Sequence, residues 1–264
     1  MCDQCGCGAT VKHVDLSPVR KAASEPFIVR EQIELVRHIL DGNQRQANHN
    51  REHFDAHGVV AINLMSSPGS GKTALLEATL VALKDEFTCA VIEGDLETEN
   101  DARRIRAQGV PAVQITTGTA CHLDAALVHG ALHELNLGAI DLLFIENIGN
   151  LVCPASFGLG QHRNVTLLSV TEGDDKPAKY PVMFRASDLV LLSKTDLLPH
   201  LPEFEPQRAQ QALDTIAVRA PMLPISARDP ASLGAWFEWL EQTVADVRGQ
   251  HARSQSGALT EMHA

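Results

Sequence analysis

Eight consecutive residues, Ser66-Ser67-Pro68-Gly69-Ser70-Gly71-Lys72-Thr73, combine two glycines with a lysine and a hydroxyl. An apolar run from Val59 to Met65 leads in, and a helical pattern from Ala74 to Leu83 leads out. Strand, glycine loop and helix in that order make a phosphate-binding loop. Gly69 and Gly71 let backbone N–H groups turn inward on phosphate oxygens, and the new helix points its positive end at the same place. The cradle is expected to run from Gly69 through Ser70, Gly71, Lys72 and Thr73 to Ala74. Lys72 would reach the β- and γ-phosphates, and the Thr73 hydroxyl would ligate Mg²⁺. The usual pattern begins with glycine, and here Ser66 stands in that place.

Two further apolar runs end in acids. Thr88 to Ile92 continues into Glu93-Gly94-Asp95, and Leu142 to Ile145 ends in Glu146. Ligands bind at that edge of an open α/β sheet. Asp95 is therefore a candidate for Mg²⁺ or its waters, with helix capping as the alternative. Glu146 is followed by Asn147-Ile148-Gly149, and a glycine three residues past the acid lets a backbone N–H approach a γ-phosphate. Lys72, Thr73, Asp95 and Glu146 are the expected catalytic set, with Thr73, Asp95 and Glu146 around the magnesium ion. The water-orienting group is not evident, and a second subunit would supply it, with Lys176 and Lys179 as candidates. Further along, Ser193-Lys194-Thr195-Asp196 closes another apolar run. Asp196 can accept two hydrogen bonds from the N1–H and 2-amino group of guanine, a donor pair adenine lacks. The Lys194 stem can cover the base, and the backbone at Ser226-Ala227 could reach guanine O6.

Thiols and imidazoles form the third group. Cys2, Cys5 and Cys7 lie within six residues, spaced for one soft or borderline divalent ion, with a redox pair as the alternative. Cys121 and His122 are adjacent at a loop-to-helix junction, where both can meet one ion. Cys153 follows Gly149 by four residues. If it joins Cys121 and His122, the metal site is tied to the element that senses nucleotide. A buried apolar thiol is the alternative. His49, His53 and His57 recur every four residues and share a helix face. A solvated face is the favoured reading there, because no acid or cysteine joins them.

These groups need a parallel sheet to gather them. Alternating apolar strands and helical stretches predict an α/β fold with a mainly parallel sheet flanked by helices, of the P-loop NTPase type. Residues 1–8 read as a cysteine metal motif, 9–26 as a flexible linker and 27–57 as a helical segment. Residues 58–248 read as the nucleotide domain and 249–264 as a disordered tail. Trp236, Phe237, Trp239 and Leu240 fall near helical spacing and read as core. The apolar fraction of 44% supports a full core, and the aromatic fraction of 4% argues against base stacking as a main activity. A net charge of −11 makes nucleic acid and anionic membranes poor partners. No apolar run approaches the roughly 20 residues of a membrane span. The first residues carry neither a positive start nor an apolar core, so a cytoplasmic protein with reduced thiols is expected.

The ordered set of P-loop, strand-end acid, acid-x-x-Gly, Ser-Lys-x-Asp and Ser-Ala resembles a P-loop GTPase. Finer detail narrows it: Cys2-x-x-Cys5-Gly6-Cys7-Gly8, Ile92-Glu93-Gly94-Asp95, Cys121-His122-Leu123-Asp124, Glu146-Asn147-Ile148-Gly149-Asn150-Leu151-Val152-Cys153-Pro154, and Ser169-Val170-Thr171-Glu172-Gly173. With these the chain resembles the hydrogenase nickel-incorporation GTPases, the HypB family of the SIMIBI class. The resemblance implies GTP and GDP as nucleotides, with Mg²⁺. It implies a high-affinity nickel site at Cys2, Cys5 and Cys7, and a nickel or zinc site at Cys121, His122 and Cys153. It further implies a nucleotide-dependent homodimer that inserts nickel into a [NiFe]-hydrogenase large-subunit precursor with a partner zinc metallochaperone. One departure stands out. The family's guanine motif starts with Asn, and Ser193 is not expected to replace fully an amide that braces loop and base. Histidine-rich tracts are absent, the 12 histidines being scattered.

Overall fold

The structure is a computed structural model and describes residues 26–95, 99–216 and 218–261. Cys2, Cys5, Cys7 and the linker up to residue 25 lie outside the described residues. The chain starts with a long helix, α1 (Pro26–His57), then β1 (Val60–Ser66), α2 (Lys72–Leu83) and β2 (Cys89–Asp95). Next come α3 (Asn100–Ala107), β3 (Ala112–Thr116), α4 (Ala125–Leu132), β4 (Leu142–Glu146) and β5 (Arg163–Ser169). Two short helices follow, α5 (Lys176–Lys179) and α6 (Pro181–Arg185), then β6 (Leu189–Ser193), α7 (Pro206–Thr215), β7 (Met222–Pro224) and α8 (Gly234–Glu261).

The seven strands form one sheet in the order β3-β2-β4-β1-β5-β6-β7, and every pairing is parallel. The expected α/β fold with a parallel sheet between helices is therefore the observed one. Strands covered on both faces need apolar residues almost throughout, and β1 is buried at every position. Alternate residues then serve opposite layers. Val60, Ile62 and Leu64 pack with Leu75, Leu76 and Leu80 of α2 and with Trp236 and Leu240 of α8. Ala61 and Ile92 face Phe54 of α1 and Val128 and Leu132 of α4. The Trp236 indole N–H is satisfied by the Thr79 hydroxyl at 2.9 Å, so its burial leaves no orphan donor. Cys89 sits in the same core, and burial, then Asp141, push its thiol pKa up to about 12.

One face of the polar second half of α1 docks on the body, while Gln44, Asn48, His49 and His57 stay exposed. The buried Asn50 amide donates to the carbonyls of Ala125 and Leu159 at 2.8 and 3.0 Å. Asn43 donates to Gly158 O and accepts from Ala125 N, both at 2.8 Å. Arg51 caps the carbonyls of Gly160 and Gln161. These bonds fasten α1 to the start of α4 at Ala125 and to residues 158–161 ahead of β5. At the other end, α8 continues to Glu261, where a disordered tail from residue 249 is expected from sequence. The physical reason is propagation. The segment Trp236–Val247 is anchored in the core, and extending a nucleated helix through a stretch without proline is cheap.

Candidate functional site

The carboxyl ends of β1, β2, β4 and β6 gather the chemically active residues at one sheet edge. The loop after β1 turns through Gly69 and Gly71, both left-handed at φ 74° and 101°, which only glycine adopts without strain. Lys72 then starts α2. Its ammonium is buried, donates to the Ser66 hydroxyl at 3.0 Å and lies 3.9 Å from Glu146 Oε1. The Ser70 hydroxyl also donates to Ser66. A serine at the head of the loop thus holds the lysine, which the glycine usual at that place could not do. Gly69, Gly71, Lys72, Thr73 and Ala74 line a hollow of about 390 Å³ with Gly94, Asp95, Glu146 and Gly149. Ser70 lies beneath the loop and opens instead on the neighbouring hollow.

Within the first hollow, the Thr73 hydroxyl donates to Glu146 Oε1 at 3.0 Å. Glu93 is the register partner of Glu146 on the adjacent strand, so the two carboxyls lie side by side on one face. Both are buried. Burial, then the Glu146 carboxylate, drives the Glu93 pKa far above the carboxylate range. Burial raises Glu146 as well, against the pull of Lys72 and the Thr73 hydroxyl. Glu93 Oε1 and Glu146 Oε2 have no hydrogen-bond partner among the described residues. Two buried carboxyls with spare oxygens beside a hydroxyl fit a hard divalent cation, and without one they favour sharing a proton. Asp95 lines the same hollow. Arg104 also reaches it, but Glu77 and Asp101 hold its guanidinium. Lys179 pairs with Asp175, and Lys176 lies over the Tyr180 ring.

A second hollow, of about 240 Å³, adjoins the first and is lined by Ser70, Lys194, Asp196, Ser226 and Ala227. Lys194 takes the left-handed backbone at φ 60°, alone among described non-glycine residues, and its ammonium donates to Gly69 O at 2.6 Å. Asp196 Oδ1 accepts from the Ser226 hydroxyl at 2.7 Å. Ser193, expected to replace Asn only in part, donates its hydroxyl to Ser70 O at 2.8 Å. The brace on the phosphate loop is therefore present, from a shorter side chain.

The metal-type cluster is assembled across two loops. Cys121, His122 and Cys153 bring one ligand atom each within 4.8 Å of the others. The two sulfurs are 3.1 Å apart, well outside the roughly 2 Å of a disulfide. His122 is buried against Phe157, and desolvation lowers its pKa, which keeps the imidazole neutral as a ligand must be. Thiolate and imidazole donors in this number suit zinc or nickel.

Two residues that sequence reasoning did not single out, Asn147 and Asn150, tie the cluster to the phosphate hollow together with the expected Gly149. Asn147 Oδ1 accepts from Leu123 N at 3.1 Å, just past His122, and its amide donates to Asn63 Oδ1 at 3.3 Å. The Asn150 amide donates to Cys121 O at 3.2 Å, while its oxygen accepts from Val152 N at 2.7 Å. Gly149 lies against the phosphate loop, where a Cβ would come within 2.7 Å of Pro68 Cα and N. Pro68, Gly149, Asn150, Cys121 and Cys153 thus follow one another along one path. The roles of Asn147 and Asn150 were hidden because polar bracing between loops carries no spacing pattern of its own.

Residues 60–224 match the family model described as CobW/HypB/UreG, nucleotide-binding domain. The chain is 50% identical over 212 residues to the hydrogenase maturation factor HypB of Escherichia coli K12, covering 80% of this chain and 73% of that protein. The chain belongs to the HypB family. It is also 43% identical to the hydrogenase/urease maturation factor HypB of Helicobacter hepaticus over 90% of this chain and 99% of that one. Among solved structures, HypB from Helicobacter pylori in complex with nickel superposes with a TM-score of 0.75 at 43% identity, covering 78% and 96% of the two chains. HypB from Archaeoglobus fulgidus gives 0.72 at 35% identity, covering 77% and 99%. The HypB-type domain is a P-loop nucleotide-binding domain, and this chain carries it in the context of hydrogenase maturation factors. No helix among the described residues is long and apolar enough to cross a membrane.

Proposed function

We propose that this protein is a GTP-hydrolysing nickel metallochaperone that inserts nickel into a [NiFe]-hydrogenase large-subunit precursor. The observation that carries this reading is the continuous path from Pro68 through Gly149 and Asn150 to Cys121 and Cys153. The nickel-complexed relative from Helicobacter pylori supports nickel as the cargo.

In this reading Lys72 and the loop amides hold the β- and γ-phosphates, and Lys194, Asp196, Ser226 and Ala227 hold guanine. Asp196 selects guanine over adenine because only guanine presents two donors to one carboxylate. Thr73, Glu146 and Asp95 hold Mg²⁺, directly or through water, with Glu93 behind Glu146. Bound magnesium supplies positive charge that offsets the charge growing on the phosphates. The Gly149 amide follows the γ-phosphate, and the segment from Glu146 to Cys153 takes one of two positions according to nucleotide. Metal ligands respond sharply to geometry, so the shift alters how Cys121, His122 and Cys153 hold nickel or zinc. By linkage the metal alters nucleotide affinity in return. Cys2, Cys5 and Cys7 supply the high-affinity nickel site.

The water-orienting group comes from a second copy in a nucleotide-dependent homodimer, since Arg104 is already engaged. Val152, 59% exposed beside Cys153, offers that copy apolar surface. A partner zinc metallochaperone and the hydrogenase precursor complete the pathway in the cytoplasm. The test is the metal dependence of GTP turnover in Cys153→Ala. Loss of the nickel effect with basal turnover retained supports the coupling, and an unchanged nickel effect rejects it.

A further inference from the structure

Apart from the cysteine cluster, a second group of ligand-type side chains comes together on the face opposite α2 and α8. His49 and His53 stand one turn apart on α1, and α4 contributes His129. One ring nitrogen of each lies within 4.8 Å of the others. The ring centroids are 4.5 Å apart for His49 and His53, 5.2 Å for His49 and His129, and 5.6 Å for His53 and His129. We propose that His49, His53 and His129 form a separate site for a divalent late first-row transition ion, nickel or zinc, bound through imidazole nitrogens alone. This inference does not rest on the GTPase reading.

The tautomers support it. The buried Asn50 amide group is fixed by the carbonyls of Ala125 and Leu159, which orients Oδ1 toward His129. His129 Nδ1 lies 3.1 Å from that oxygen, so Nδ1 carries the proton and Nε2 keeps its lone pair. Such an outer-shell acceptor is what orients a ligating histidine. Glu52 Oε2 stands 3.5 Å from His49 Nδ1, on the same side of that ring. Nε2 of His49 then faces Nε2 of His53 at 3.2 Å, two nitrogens that a shared cation would bridge.

The sequence pairing of His49, His53 and His57 is only partly right. His57 Nδ1 turns to the carbonyl of His53 at 2.8 Å and leaves the cluster. The third ligand comes from 76 positions beyond His53, brought in because Asn43 and Asn50 dock α1 on the start of α4. That same α4 begins three residues after His122 and carries His129 about 6 Å along its axis. Cargo held here would sit on the helix that leads out of the cysteine cluster.

The test uses the full-length chain with Cys2, Cys5, Cys7, Cys121 and Cys153 replaced by serine, titrated with nickel sulfate and separately with zinc sulfate. One equivalent should remain, and its affinity should fall at least about tenfold in His53→Gln and in His129→Gln. His57→Gln should leave it unchanged. Loss of all nickel and zinc binding in a serine variant that keeps its circular dichroism overturns the proposal. So does equal sensitivity to His57→Gln. If the glutamine variants fail to fold, imidazole nitrogen NMR of the serine variant decides. Nickel-induced broadening that starts at His49, His53 and His129 supports the site, and broadening elsewhere rejects it.

Discussion

Gly149→Ala probes the contact between the phosphate loop and the switch segment. The new Cβ would stand 2.7 Å from two backbone atoms of Pro68, and 3.0 Å from its ring. Backbone in the phosphate loop cannot rotate away as a flexible side chain would. Either the loop or the Glu146–Cys153 segment must move. Overpacking of this kind costs about 1–3 kcal/mol. If the displaced geometry is the one that binds nucleotide, that cost appears as a loss of about fivefold to 150-fold in affinity. Fluorescent GDP and a non-hydrolysable GTP analogue, titrated with magnesium present, measure it. The analogue should lose more than GDP, because only the γ-phosphate draws on the Gly149 amide. Affinities within twofold of wild type for both nucleotides would refute the reasoning.

Three further outcomes follow from the same geometry. Asn150→Ala removes the bonds to Cys121 O and Val152 N and should leave basal GTP turnover within about threefold while abolishing its response to nickel, read by phosphate release. Asp196→Asn replaces a charged acceptor by one oxygen and an unwanted donor, so guanine preference over adenine should fall by about 10–150-fold, corresponding to 1.5–3 kcal/mol for charged hydrogen bonds, read by competition binding. The Glu93 pKa is raised far above its ordinary 4.5, so the folded state holds a proton the unfolded state gives up. Stability of the metal-free protein should therefore fall as pH rises from about 4.5 toward the raised value. Glu93→Gln should remove that slope in urea melts at pH 5 and pH 8, stabilising the protein more at pH 8, and equal slopes in both proteins would contradict the assignment.

The phosphate loop was legible because its residues keep fixed offsets around a strand-to-helix turn, and Lys72, Thr73 and Gly149 meet there. The parallel sheet was legible because runs such as Val60–Met65 are apolar at almost every position. Glu93 was not singled out. Its importance comes from the strand order, which sets β2 beside β4 and Glu93 beside Glu146, and no local pattern encodes that neighbour. Cys121, His122 and Cys153 were grouped by resemblance, and the structure brings them within reach of one ion. Asn147 and Asn150 escaped notice because buried polar bracing is a property of the packed loops, not of spacing. The same holds for His129, whose distance in sequence from His53 is closed only by the docking of α1. The long α8 differs from the tail expected from its polar composition, since helix propagation depends on the anchored turn before it rather than on burial of every residue.

The central claim is that the nucleotide sets the metal affinity of Cys121, His122 and Cys153. The measurement that tests it most directly is nickel and zinc titration of a chain with Cys2, Cys5, Cys7, His53 and His129 replaced, so that the domain cluster is seen alone. It is run with GDP and with a non-hydrolysable GTP analogue. The account predicts that affinity or metal preference differs between the two by about fivefold or more, the lower end of ordinary coupling energies. Superimposable isotherms would contradict it.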